Sequence, residues 1–233
     1  MQPTYLPWLG YFELIDAVDV FVLLDNVKLE KSSWHVRNRI RSVNGETVLT
    51  VPVTISGSHN NMMLNTTPIN RNRPWQRKHL KSIQQNYCKS NQFGSLFPEL
   101  ETIISNPPKY LAEFNTKIIK LICNKMSLNT RIVMSSDLNG ISGKKDQRLL
   151  SICQSLGVKQ YYSPKGSAIY LNQTEYGGVL SNSGIDVVFQ DFNIPEYPQQ
   201  FAPFMPNMSV IDTIFNCGVE KTKELMVRGR SKS

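Results

Sequence analysis

The residues of this sequence best equipped for chemistry crowd into its first forty-one positions. Gln2, Pro3, Thr4, Tyr5, Leu6, Pro7, Trp8, Leu9, Gly10 and Tyr11 form one uninterrupted run. The two prolines fix φ and withhold N–H groups, and Gly10 permits close approach, so an amide, two phenols and an indole are held in a rigid turn. Rigid polar turns beside a core are where ligands usually bind. Trp34, Arg37, Asn38 and Arg39 follow at the entry to an extended segment. Alternation along a strand puts Arg37 and Arg39 on one face and Asn38 on the other. Two guanidiniums beside an indole suit a phosphate-bearing ligand with a planar base, and the same spacing also serves as an arginine-rich edge that discourages strand addition. Between these groups an apolar run ends in Asp25. A carboxylate there can hold Mg²⁺, a ribose or an incoming amine, or simply close a turn.

Two later loops carry hydroxyls, glycine and lysine. Ser135, Ser136 and Asp137 lead through glycines to Lys144, and Ser163 leads through Lys165 and Gly166 to Ser167 and Tyr170. Backbone N–H groups in either loop could cradle a phosphate, since glycine lets the chain approach and a helix amino end follows. Ordinary turn chemistry explains them equally, and neither matches the P-loop or the dinucleotide fingerprint. None of His35, His59 and His79 is placed next to an obvious nucleophile, and no Ser-His-Asp order or thiol–imidazole pair occurs. The four cysteines lack paired ligand spacing, which argues against zinc or a redox pair and for buried thiols, so no metal ligands are assigned.

The elements that must position these groups alternate. The periodicity predicts a short helix over 7–15, a buried strand over 18–24, and an antiparallel hairpin, 36–43 with 46–53, closed by Asn44-Gly45 as a type I′ turn. A turn such as Gln2 to Trp8 normally leaves a preceding strand, so a first strand is expected to be missing ahead of Met1. Helices are predicted over 74–87 and from Pro108 onward, then a strand at 131–134, a helix over 144–156 stopped by Gly157, strands at 160–162 and 185–189, and a helix capped by Ser209. Strands alternating with helices imply an α/β fold: a mostly parallel, Rossmann-like sheet with helices on both faces and a hairpin excursion at about 34–55. Residues 1–227 are expected to form one domain and 228–233 a disordered basic tail. In such a sheet the loops at the carboxyl ends of the strands share one edge, which gathers the opening turn, Asp25, Ser136 and Ser163.

Net charge and hydropathy narrow the partners. The chain has 233 residues, 40% of them hydrophobic, with a formal net charge of +8. Much of that charge lies in Lys28–Arg41 and Arg71–Lys81, which favours anionic partners. Without a recognisable reader motif, a nucleotide or sugar nucleotide explains it better than nucleic acid. No stretch of about 18 apolar residues occurs, so a membrane span is not expected and a cytoplasmic location is.

Gln2–Phe12, the run ending in Asp25, Lys31 to Trp34, Arg37 to Ile40, Asn44-Gly45, Leu49–Val53 and Ser209–Asn216 before Gly218 together resemble the WbqC-like family. Members belong to bacterial O-antigen and capsule gene clusters, and a glycine (or other acyl) transferase role toward an amino sugar has been suggested for them. The chain departs from the family pattern in lacking the opening strand, in carrying Asp25-Asn26 where an acidic pair is expected, and in a Pro-Lys insertion in the 163–166 loop. The strand, Pro-containing turn, helix, strand order is also similar to nucleotidylyltransferases and pantothenate synthetase, where turn histidines bind ATP phosphates and an acyl-adenylate passes to an amine; Gln2 and Tyr5 would stand in those places here. The resemblance implies a transferase joining glycine or another small acid to the amine of a nucleotide-linked amino sugar, with ATP and Mg²⁺ as one donor system. Asp25, Lys144 and Gln2 would then be catalytic. Pro3, Tyr5, Trp8, Tyr11, Lys31, Trp34, Arg37, Asn38, Arg39, Ser136, Asp137, Ser163, Gly166 and Tyr170 would bind substrate. A non-catalytic module that binds a sugar nucleotide or a pathway enzyme is the alternative.

Overall fold

The structure, a computed structural model, describes residues 1–30, 33–55, 62–172 and 175–230. Lys31 therefore lies outside the described residues, as does the side chain of Tyr170. The architecture is α/β. Helix α1 (Leu9–Asp16) leads into strand β1 (Val20–Leu23), and β2 (Arg37–Ser42) and β3 (Gly45–Thr50) form the hairpin. Helices α2 (Trp75–Tyr87), α3 (Phe97–Ser105) and α4 (Leu111–Lys125) follow, then β4 (Arg131–Met134), α5 (Lys145–Leu156), β5 (Gln160–Ser163), the short α6 (Ala168–Leu171) and α7 (Gly178–Asn182), β6 (Asp186–Phe189), α8 (Val210–Cys217) and α9 (Val219–Arg228).

Parallel pairing joins β1 to β4 and β5 to β6, while β2 and β3 run antiparallel. The parallel strands stand as two separate pairs, and β1 and β5 face each other without bonding. The hairpin connection differs from the expected I′ turn. That turn needs positive φ at both central residues, but Gly45 alone takes it (φ 110°), Ser42 pairs with Gly45, and the linking residues are Val43 and Asn44.

Two apolar clusters hold the molecule. The larger combines α1, the hairpin, α2–α4, α8 and α9 around Phe12, Phe114, Ile118 and Phe215. The amphipathic repeat of α4 accounts for its share: Leu111, Phe114, Ile118, Leu121 and Ile122 recur at helical spacing and all are buried. The smaller gathers Leu149, Cys153, Leu171, Leu180, Ile185 and Val187 from α5 to β6. A polar clasp joins the two, because buried Glu13 on α1 meets Arg230 (2.9 Å), Gln190 and Tyr162. Arg230 also pairs with Asp16. At the start of the segment expected as a basic tail, α9 runs through Arg228, and Arg230 is held by two carboxylates. Residues 231–233 lie outside the described residues.

Candidate functional site

The opening turn is held almost atom by atom. Met1 C=O accepts from Leu24 N–H, Gln2 C=O from the Tyr11 hydroxyl, Pro3 C=O from Asn115, and Pro7 C=O from Val210 N–H. Asn38 donates its amide to both Tyr5 C=O (3.1 Å) and Leu6 C=O (2.7 Å). Leu6 takes φ 45°, a left-handed conformation that is costly for a branched aliphatic residue. Such strain persists only where surrounding structure over-determines it, and it concentrates at binding and catalytic sites. Gly10 is required here because a Cβ would meet the Trp8 ring at 2.3 Å.

The turn walls a cavity of about 290 Å³ shared with the hairpin and with Asn207 before α8. Pro7, Trp8 and Tyr11 line it from the turn, and Trp34, Asn38 and Arg39 from the hairpin side. Trp8 is braced edge-on by Phe192 at 5.6 Å. Trp34 is 52% exposed, a large apolar surface left to solvent. The Arg39 guanidinium sits 5.9 Å from the Trp34 ring centroid and is steadied by Glu46 at 2.9 Å. The cavity therefore offers aromatic faces and one cation, which suits a ring carrying a negative charge.

Other expected site residues lie elsewhere. Tyr5 is fully buried, stacked on Phe114, and its hydroxyl is 2.9 Å from His79 Nδ1, so it supports the turn from behind and does not line the cavity. Asp25 is 3% exposed, and its Oδ1 accepts from Ser136 N–H (3.0 Å) and the Ser135 hydroxyl (3.1 Å). Asn26 beside it accepts from Ser135 and Arg148. This cluster ties the ends of β1 and β4 together and does not line the cavity. Donors crowd the Asp25 carboxylate, and the neighbouring side chain is an amide, so these residues do not fit a two-carboxylate Mg²⁺ site. Among the described residues no group of three or more His, Cys, Asp and Glu could hold a metal ion. Lys144 is exposed at the start of α5, and Ser136 and Asp137 are exposed on the 3₁₀ turn after β4. Pro3 is buried, Gln2 is half-buried and Arg37 shares the face of Arg39, but none of them lines the cavity. Ser163 is buried, with its hydroxyl unpartnered among the described residues, and Gly166 is exposed.

Sequence reasoning missed His79, Asn115, Asn207 and Arg148. Asn115 alone carried a signal: an amide inside the apolar stripe of α4, where it reaches Pro3 C=O and His35 C=O. His79 makes a testable support. Burial pulls its imidazole down to about 4, so it stays neutral against Tyr5 at neutral pH. The unfolded chain binds that proton near 6.5. Stability is therefore full above about pH 6.5 and falls as pH drops toward 4, by about 3 kcal/mol from this residue. Urea unfolding at pH 7 and pH 4.5 should show a smaller acid loss in His79→Asn, which keeps an acceptor for Tyr5 but does not titrate.

Comparison with known proteins agrees over almost the whole length. The chain is 29% identical over 222 residues to the "Uncharacterized protein Rv1507c" of Mycobacterium tuberculosis (strain ATCC 25618 / H37Rv), covering 94% of this chain and 93% of that protein. No solved structure matches the chain. The WbqC-like family matches residues 2–224, and that span includes the strained turn, the hairpin and the Ser209 cap of α8. The chain belongs to the WbqC-like protein family.

Proposed function

We propose that the cavity between the opening turn and the hairpin binds a nucleotide-linked amino sugar, and that the protein joins a small acyl group, glycine by preference, to its amine in cytoplasmic surface-polysaccharide synthesis. The observation that carries this reading is the exposed Trp34 with Arg39 beside its ring, facing Trp8 and Tyr11 across one cavity. Aromatic faces take the apolar side of a sugar or a base, and Arg39, with Arg37 on the same face, takes the phosphates. In the transfer the amine nitrogen forms the new bond to the acyl carbon, the activating group leaves, and one proton is released. Asp25 acts in this scheme by fixing the β1 and β4 loop ends, since its carboxylate is already engaged.

One observation favours the second reading, a binding module without catalysis. Among the described residues the cavity lining contains no carboxylate, imidazole or thiol to take the amine proton. Incubation with a nucleotide-linked 4-amino sugar plus either glycine and Mg²⁺-ATP or a preactivated acyl donor separates the two. An added glycyl or acyl mass is expected. Saturable binding without product moves the conclusion to the binding module, and neither product nor binding discards both. Trp34→Ala should weaken binding about tenfold or more while changing stability by under about 0.5 kcal/mol, because the indole is exposed at the cavity mouth. Calorimetric titration beside thermal unfolding checks it, and unchanged affinity would remove Trp34 from the site.

A further inference from the structure

No Asp or Glu occurs from Thr47 to Pro98, a stretch that carries Arg71, Arg73, Arg77, Lys78, Lys81 and Lys89. All of these cations are exposed. In α2 their placement works against the helix. Its buried stripe, Trp75, His79, Ile83 and Tyr87, recurs at i+4, so Arg77, Lys78 and Lys81 stand on the opposite, outward face. Lys81 follows Lys78 at i+3 and Arg77 at i+4, the spacings at which like charges repel. Arg77 and Lys78 also lie in the first turn, where the helix dipole disfavours cations, and that turn has no acidic residue. Lys109 adjoins this segment, because Ile69 N–H donates to Lys109 C=O (2.9 Å) and Arg71 donates to Pro107 C=O (2.7 Å). Among the described residues none of these cations pairs with a carboxylate, whereas Lys117, Lys125 and Lys221 each do.

We propose that the outward face of α2, with the turn before it and Lys109, docks the protein by charge on a membrane surface rich in anionic lipid headgroups. Repulsion within this face is relieved by anions from outside, since its own side chains supply none. A small anion is a poorer occupant, because neither the opening-turn cavity nor the gap between β1 and β5 is lined by any of these cations. Single-stranded nucleic acid is poorer too. Its bases stack on exposed aromatic rings, and among the described residues no large apolar side chain between 62 and 110 is exposed. The phosphates of a duplex are fixed in position, whereas lipid headgroups move laterally and let cations spread over a turn and a helix all find partners. Each such cation adds roughly fivefold to affinity for an anionic leaflet. The apolar stripe of α2 is spent in the core, so contact is electrostatic, without insertion, and fades with salt. Docking through these cations leaves the opening-turn cavity free, and the inference stands apart from the function proposed for that cavity.

Co-sedimentation tests this with vesicles of phosphatidylcholine alone and of phosphatidylcholine mixed equally with phosphatidylglycerol, at about 0.1 M and about 1 M salt, beside titration with duplex DNA. The 233-residue protein should bind the anionic vesicles at least about tenfold more tightly than the neutral ones and leave them at high salt. Arg77→Gln, Lys78→Gln and Lys81→Gln combined should lower that binding at least about tenfold with the melting temperature unchanged. A second variant, Arg73→Gln with Lys109→Gln, should lower it as well and keeps α2 intact. Lys117→Gln, Lys125→Gln and Lys221→Gln combined remove the same net charge from cations that already hold carboxylates, and should leave binding within about twofold. Equal losses in the two triple variants, tighter binding to duplex DNA than to anionic vesicles, or binding to neither would overturn the proposal. The first would show an effect of net charge, the second a nucleic-acid face and the third a merely solvated one.

Discussion

Asn38→Ala is expected to cost about 3 kcal/mol of stability and to abolish ligand retention in the opening-turn cavity. The side chain is buried and donates to two consecutive carbonyls, those of Tyr5 and Leu6. Truncation leaves both acceptors without partner in a dry place, at roughly 1–3 kcal/mol each, partly relieved by relaxation. Relaxation is itself the functional damage. Leu6 holds its left-handed φ of 45° only while neighbours enforce it, and release toward the extended region swings Pro7 and Trp8 out of the cavity wall. Asn38→Asp should rescue nothing, because a carboxylate keeps the shape but has no hydrogen to offer two carbonyls. Urea unfolding gives the stability change and calorimetric titration with the sugar nucleotide gives the binding change. A variant that loses stability yet binds normally would show that the turn does not shape the site.

Asp212→Ala should be more damaging to the fold, by about 3–5 kcal/mol, as expected when a buried hydrogen-bonded charge is deleted. Asp212 is fully buried on α8. It accepts from the Tyr87 hydroxyl (2.6 Å) on α2 and, through its other oxygen, from Tyr197 (2.7 Å) and Gln199 (2.9 Å). Tyr87 in turn accepts Arg41 N–H from the hairpin (3.0 Å). One carboxylate therefore ties a helix, a strand and the segment before α8 to its own helix. Desolvation raises its pKa above the ordinary carboxylate value, offset by those three donors and by nearby Arg41. Alanine strands two phenol hydrogens at once. Asp212→Asn should recover part of the loss, since its carbonyl still serves one tyrosine. A loss below about 1 kcal/mol for alanine would show that these bonds are replaced by water.

Secondary structure was legible because it depends on neighbours in sequence. Arg131–Met134 reads as a strand and is one, Lys145–Leu156 is a helix ended by Gly157 in the left-handed region, and Ser209 caps α8 by accepting from Ile211 N–H. The site was legible only in part. Trp8, Tyr11, Trp34, Asn38 and Arg39 meet in one cavity, whereas Asp25 and Lys144, chosen for their chemistry and their place at strand ends, lie apart from it. Residue type shows what a group can do but not whether its lone pairs are already spent. The Asp25 carboxylate is engaged by Ser135 and Ser136, 110 and 111 positions away, and no local pattern announces so distant a partner.

The α/β class, the rigidity of the opening turn and most of the element order follow from the sequence alone, since φ restriction, periodicity and capping act over a few residues, whereas α3, α6, α7 and α9 were not read from it. Tertiary structure decided the rest: that Tyr5 serves His79 and the core, that Asn38 spends its amide on the turn, and that β1 and β5 face each other across a gap. Those outcomes depend on which distant groups satisfy one another once water is excluded, and only the packed chain fixes that.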